Sequence, residues 1–211
     1  MADKKKRGRT AYQVVQLPWR PIGLQAQYLA PRDKGRKKNN MSKRVFSFDA
    51  ETNGLWGQAF SIAAVVMEDG TEVARFIARC PIDEVVNPWV AENVLPQMAA
   101  IPETHENYKS MLSDFMQFYM LHKSDADVIV HMGLPVEARL FIDAHAVKII
   151  GDWDAPYPLI DISAYPEVRD SVDGYNTGHG IVVPDFDGGT HNPLYDSYAA
   201  ALCYNDIYKN R

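Results

Sequence analysis

Two cysteines in 211 residues, Cys80 and Cys203, are too few and too far apart for a disulfide framework or a zinc site. Both stand in apolar company and read as small buried hydrophobes in a reducing, cytoplasmic compartment. Long apolar runs are missing as well. No stretch approaches the roughly 18 consecutive apolar residues of a membrane span. The basic N-terminus has no apolar segment behind it, which argues against a secretory signal. The chain shows no internal repeat, and its length suits one ordinary domain with some additional chain.

Positive charge is scarce over most of the chain and crowded at one end. Residues 1–43 hold 12 of the 22 Lys and Arg against only Asp3 and Asp33, a balance of +10. Residues 44–211 hold the other 10 with 25 of the 27 acids, a balance of −15, which gives the formal net charge of −5. The pattern is a basic arm on an acidic body. The arm, residues 1–42 with "DKKKRGR" and "PRDKGRKKNN", lacks sustained periodicity. It is expected to be a flexible extension able to contact phosphates through counterion release. A solvated tail, or an upstream extension of a domain beginning at Met41, are the alternatives. Its stretch "AYQVVQLPWRPIGLQAQYLA" is apolar enough to dock.

From Arg44 the pattern becomes regular. "RVFSFDA", "AFSIAAVVM" and "EVARFIAR", with "EDG" at 68–70 as a hairpin signal, predict an antiparallel meander. Asn87-Pro88 opens a helix that Pro96 limits. Between 103 and 122, Tyr108, Leu112, Phe115, Phe118, Tyr119 and Leu121 recur at helical spacing and are expected in the core. "DADVIVHMG" reads as a buried strand, and "PVEARLFIDAHAV" as a helix with Val136, Leu140, Phe141 and Ala144 inward. "YPLIDIS" reads as a short fifth strand. Residues 170–190 carry five glycines and no helical period, which predicts a long functional or disordered loop. Asn192 then fits an N-cap and Pro193 the first position of a last helix, with Ala199, Leu202, Cys203 and Ile207 as its inward stripe. The order is that of a mixed α/β sheet with flanking helices.

Acids mark the ends of these elements. Asp49 and Glu51 share one face of the first strand, because strand side chains repeat every second residue. Two adjacent carboxylates on one face repel, so a positive group is expected between them; a simple turn cap before Thr52-Asn53-Gly54 is the structural alternative. Glu137 falls in the first turn of the helix after the fourth strand, and Asp196 in the first turn of the last helix. Such acids can converge on hard divalent cations, which take oxygen ligands. A pair of such ions about 4 Å apart clamps the attacking and leaving oxygens of a phosphoryl displacement. His191, just outside the last helix, is suited to deprotonate an attacking water.

These residues carry a resemblance. "FDAETNGL" is similar to the first motif of the DnaQ-like DEDDh 3′→5′ exonucleases, "VIVHMGLPVE" resembles their second, and "HNPLYDSYAAA" their third. The motifs come in family order over residues 43–211. The resemblance implies an α/β fold with a ribonuclease H-like mixed five-stranded sheet flanked by helices, forming an exonuclease domain over 43–211. It implies that Asp49, Glu51, Glu137 and Asp196 hold two Mg²⁺ or Mn²⁺ ions and that His191 is the general base. Thr52, Asn53, Gly54, Leu55 and Trp56 would lie against the substrate's terminal nucleotide, with Gly54 permitting close backbone approach and Leu55 or Trp56 packing on the last base. The sequence departs from the family at Glu137, where aspartate is usual, and at Met132, where asparagine is usual.

The expected activity is hydrolysis of terminal phosphodiesters of single-stranded DNA or RNA to nucleoside 5′-monophosphates. The alternatives are a catalytically degraded nucleic-acid-binding module and a proofreading or trimming subunit of a larger complex; a homodimer is a further assembly option. Taken singly, Glu137 reads as a helix-dipole acid, His131 as structural and Asp161 as a strand-end cap. His179 is a rival base, and Asp185 and Asp187 are distant alternatives to Asp196.

Overall fold

Alternation in β1 (Arg44–Thr52) sends Phe46, Phe48 and Ala50 to one side of the sheet and Val45, Ser47 and Asp49 to the other. The computed structural model describes residues 43–168, 171–186 and 189–210, all within the unit Met41–Arg211. The arm expected over 1–42, and Asp187, lie outside the described residues.

β2 (Ala59–Glu68) and β3 (Thr71–Arg79) complete the meander. Asp69 and Gly70 join them with φ of 52° and 84°, the two positive values that a tight hairpin turn with the right strand twist requires. On its other side β1 pairs in parallel with β4 (Ala126–Val130), which pairs in parallel with β5 (Ile160–Asp161). The sheet order is β3-β2-β1-β4-β5, a mixed five-stranded sheet as the resemblance implies.

Helices cover both faces. α1 (Pro88–Asn93), α2 (Tyr108–His122) and α3 (Val136–Ala146) close one side over an aromatic cluster, in which Phe46 meets Tyr119 edge-on at 5.5 Å and Phe48 meets Phe141 at 5.7 Å. α5 (Pro193–Lys209) packs on the other side against Val45, Val65, Met67 and Ile129. Both cysteines are free and buried. Among the described residues no helix is long and apolar enough to cross a membrane.

Two expectations need correction. Leu121 is 75% exposed, because the buried stripe of α2 runs through Met111, Leu112, Phe115, Met116 and Tyr119 instead. The glycine-rich segment is not loop throughout: it contains α4 (Val172–Gly178), capped by the Ser171 hydroxyl accepting from Gly174 N at 2.8 Å. Its two glycines lower local propensity, but docking on α5 compensates. The Tyr175 hydroxyl donates to Asp206 at 2.8 Å, and Asn176 Nδ2 donates to the Ala199 carbonyl at 3.1 Å.

Candidate active site

β1 is the strand at which the sheet changes sense, antiparallel to β2 and parallel to β4. In open α/β sheets, ligands bind in the crevice beyond the carboxyl ends of strands where the strand order reverses, as it does here between β1 and β4. A cavity of about 320 Å³ opens there, lined by Asp49, Glu51, Glu137, His191 and Asp196 among others. Three segments far apart in sequence, β1, α3 and the entry to α5, supply these five side chains.

Asp49 and Glu51 point to the α5 side because they lie on the odd face of β1. A bulge between Glu51 and Thr52 interrupts pairing with β2 immediately beyond them. Asp196 rises from the first turn of α5, whose entry is fixed by Asn192 Oδ1 accepting from Leu194 N at 3.0 Å and by Pro193 in the first turn. One oxygen from each of Asp49, Glu51 and Asp196 lies within 4.8 Å of the others. Glu137 joins from the first turn of α3 and is 4% exposed. Its Oε1 accepts from Ala50 N at 3.1 Å, which ties α3 to the backbone between the two β1 acids. It shares the cavity with the other three acids but stands outside their close trio.

His191 occupies the left-handed backbone region at φ 71°. Its N–H donates to Asp196 Oδ2 at 3.3 Å, and its Nδ1 lies 3.6 Å from Glu51 Oε1. Its ring also meets the indole of Trp89 edge-on, with centroids 5.7 Å apart.

The electrostatics follow from crowding like charges in a half-dry cleft. Burial first, then the charges of Asp196, Glu137 and Glu51, push Asp49 well above the usual carboxylate range. Burial and the Asp196 and Glu137 charges lift Glu51 to about 8. Burial raises Glu137 to about 7 against the lowering effect of backbone hydrogen bonds, including that from Ala50, and raises Asp196 to about 7 against the bond from His191. Among the described residues no Lys or Arg lines this cavity. Four crowded carboxylates, an all-oxygen donor set, fit hard divalent cations, which would reverse the proton-retaining effect of the cluster.

The turn after β1 follows the two acids in the chain but does not line the cavity. Gly54 has φ 81°, where glycine is favoured, and a Cβ there would lie 2.9 Å from Asn87 Nδ2 and force that side chain to shift. Asn53 is buried, with Nδ2 donating to Glu84 Oε1 and the Val85 carbonyl and Oδ1 accepting from Asn87 N at 2.7 Å. Its side chain is therefore engaged with the 84–87 segment, and neither it nor Thr52 lines the cavity. Leu55 and Trp56 are exposed, and Arg139 of α3 holds the turn by donating to the Trp56 carbonyl at 2.5 Å.

Other singled-out residues sort clearly. Asp161 is a strand-end cap: Oδ1 accepts from Met132 N and Ser163 N and Oδ2 from Gly133 N, each at 3.0 Å. His179 turns away to Asp206 Oδ2 at 3.0 Å, and Asp185 is exposed and does not line the cavity. His131 does line it, and burial lowers its pKa. Sequence reading missed Ser171, Val172 and Asp173, which also line the cavity, and Trp89. The Ser171 cap followed by acidic Asp173 was the available signal for the former; Trp89 had none beyond Asn87-Pro88.

Neither a protein-family model nor a curated protein sequence matches the chain. Solved structures do. Exonuclease X in complex with 5′-overhanging duplex DNA is similar with a TM-score of 0.50 and 20% identity, over 79% of this chain and 91% of that one. Exonuclease I without ligand has a TM-score of 0.56 at 12% identity, over 80% of this chain but 42% of that one. Exonuclease I bound to the inhibitor BCBP has a TM-score of 0.55 at 12% identity, over 81% and 42%. At such identities the likeness concerns the fold, and the fold is the ribonuclease H-like mixed sheet of these exonucleases.

Proposed function

We propose that this chain is a divalent-metal-dependent exonuclease that trims nucleic acid from the 3′ end and releases nucleoside 5′-monophosphates. The observation that carries the reading is the convergence of Asp49, Glu51 and Asp196 within 4.8 Å, with Glu137 in the same cavity and His191 beside them. The folds of exonuclease X and exonuclease I support it. Asp49, Glu51 and Asp196, aided by Glu137, would hold Mg²⁺ or Mn²⁺. Bound ions of this kind neutralise phosphate charge and acidify water.

The remaining chemistry belongs to the chain's own groups. His191 accepts the proton of the attacking water at Nε2, because Nδ1 faces Glu51 Oε1 at 3.6 Å. The water oxygen bonds to phosphorus as the P–O3′ bond breaks, and the departing O3′ takes a proton from solvent, leaving a 3′-hydroxyl on the shortened strand. Leu55 and Trp56, exposed in the turn after β1, would offer apolar surface to the terminal base. The carboxylate-rich body repels phosphates, so affinity depends on bound cations and on the +10 balance of residues 1–43.

The test is a time course on 3′- and 5′-labelled single-stranded DNA, single-stranded RNA and 5′-overhanging duplex DNA, each with Mg²⁺, Mn²⁺ or EDTA. Nucleoside 5′-monophosphates appearing from the 3′ end only with metal are expected; the absence of metal-dependent hydrolysis on every substrate overturns the reading. A second reading, a nucleic-acid-binding module with a degraded site, is favoured by the Glu137 oxygen committed to Ala50 N. Calorimetric Mn²⁺ titration separates the two, since a degraded site takes up no ions.

A further inference from the structure

The histidine beside the acid trio is held from three directions, and only two of them are polar. The backbone N–H of His191 meets Asp196 Oδ2, its Nδ1 faces Glu51, and its ring meets the Trp89 indole at 82° with centroids 5.7 Å apart. Trp89 is 57% exposed, so it is not an ordinary core aromatic. Its place is set from the other end of the first motif. Asn53 Oδ1 accepts from Asn87 N at 2.7 Å, and Asn87 Oδ1 accepts from Trp89 N at 2.9 Å. Gly54 lets the turn approach the Asn87 side chain closely. The turn after β1 is thus connected through Asn87 to Trp89, and through Trp89 to His191.

We propose that Trp89 is a positioning residue, holding the His191 imidazole on the cavity side through its edge-on ring contact and itself held by the Asn53–Asn87 link. A histidine at positive φ just before a helix has its backbone set by the entry to α5, but its ring needs lateral support. Glu51 supplies little of it, because at 3.6 Å the pair is beyond hydrogen-bond reach and Glu51 is also a candidate metal ligand. Edge-to-face aromatic contact is directional and supplies what is missing. The proposal rests on His191 acting as general base.

The experiment compares W89A, W89F, H191A and the double variant W89A/H191A in the full chain. Kinetics with Mg²⁺ and a labelled 3′ end are read alongside His191 imidazole signals in long-range ¹H–¹⁵N spectra of the metal-free protein. A general base contributes about 10²–10⁴-fold, and a loosened one should forfeit part of that, so W89A should lower kcat about 10-fold with KM within about 2-fold. W89F should recover most of the loss. In the H191A background W89A should cost nothing further, and in W89A the His191 signals should lose their ring-current shift and broaden. Additive losses in the double variant overturn the proposal, as do W89A signals identical to those of the native chain. The spectra decide the matter if H191A is too slow to assay, and W89F spectra decide it if W89A fails to fold. Failure of the exonuclease reading looks different: the native chain hydrolyses nothing, while the spectra still report the ring contact.

Discussion

The carboxyl of Asp49 is buried against three other acids, so replacing it with an amide removes a repulsion as well as a candidate ligand. D49N and D196N should each lower metal-dependent hydrolysis by at least about 10²-fold, the scale of losing one group from a charge-stabilising site. Both variants should melt no lower than the native chain in EDTA at pH 8, and D49N higher. Kinetics paired with calorimetric melting check both halves. At Glu137 an amide separates two roles. E137Q keeps an acceptor for Ala50 N but loses the charge. It should weaken Mn²⁺ binding by about 10-fold and, by removing a repulsion as D49N does, melt no lower than the native chain in EDTA at pH 8. A fall in melting temperature with native Mn²⁺ affinity would mean that Glu137 serves only to tie α3 to β1.

Among the secondary elements, the segment joining β4 to α3 depends on one side chain. Met132 is at φ 57°, and Gly133 packs so closely on Val130 that a Cβ would lie 2.3 Å from Val130 Cγ2. Asp161 clamps both backbone N–H groups and Ser163 besides. Burial pushes its pKa up, but the hydrogen bonds from Ser163, Met132 and Gly133 outweigh this and hold it below the usual value. The folded state therefore binds its proton less tightly than the unfolded state. The clamp is complete above the unfolded carboxylate range, near pH 4, and is lost as pH falls through the lower folded value. D161A should destabilise by about 1 kcal/mol, since the freed donors are partly solvated, and should flatten the acid limb of the stability curve below about pH 4. Urea melts at pH 3 and pH 7 test this; an equal loss at both pH values contradicts it.

For the whole molecule the acid cluster sets the sign of the pH dependence. Glu51 at about 8, and Glu137 and Asp196 at about 7, hold protons in the folded state that the unfolded chain releases near pH 4. Metal-free protein should therefore lose stability as pH rises from about 4.5 to 8. Mg²⁺ or Mn²⁺ should restore it, with a larger rise in melting temperature at pH 8 than at pH 6, because ligands must shed protons to bind. Thermal melts with EDTA and with Mn²⁺ across this range check the prediction; a metal effect that shrinks with rising pH contradicts it.

How much of this was readable in advance depends on whether the determinant is local. Strand alternation put Asp49 and Glu51 on one face, Asp69-Gly70 announced the hairpin, and Asn192-Pro193 announced the entry to α5 with Asp196 in its first turn. Each rests on neighbours in the chain, where period, caps and turn chemistry act. α4 escaped because its helical state comes from Tyr175 and Asn176 bonding to α5 rather than from propensity. Asn53 looked like a substrate contact from its motif, yet its partners are Glu84, Val85 and Asn87, some 31 to 34 positions away. Trp89 reaches His191 only because α1 and the entry to α5 meet above the end of β1. The sequence alone thus determined the acids and the elements that carry them. Only the tertiary structure decided how close they stand, how far their protons are retained, and which aromatic ring faces the histidine, because those depend on contacts between segments that no local pattern encodes.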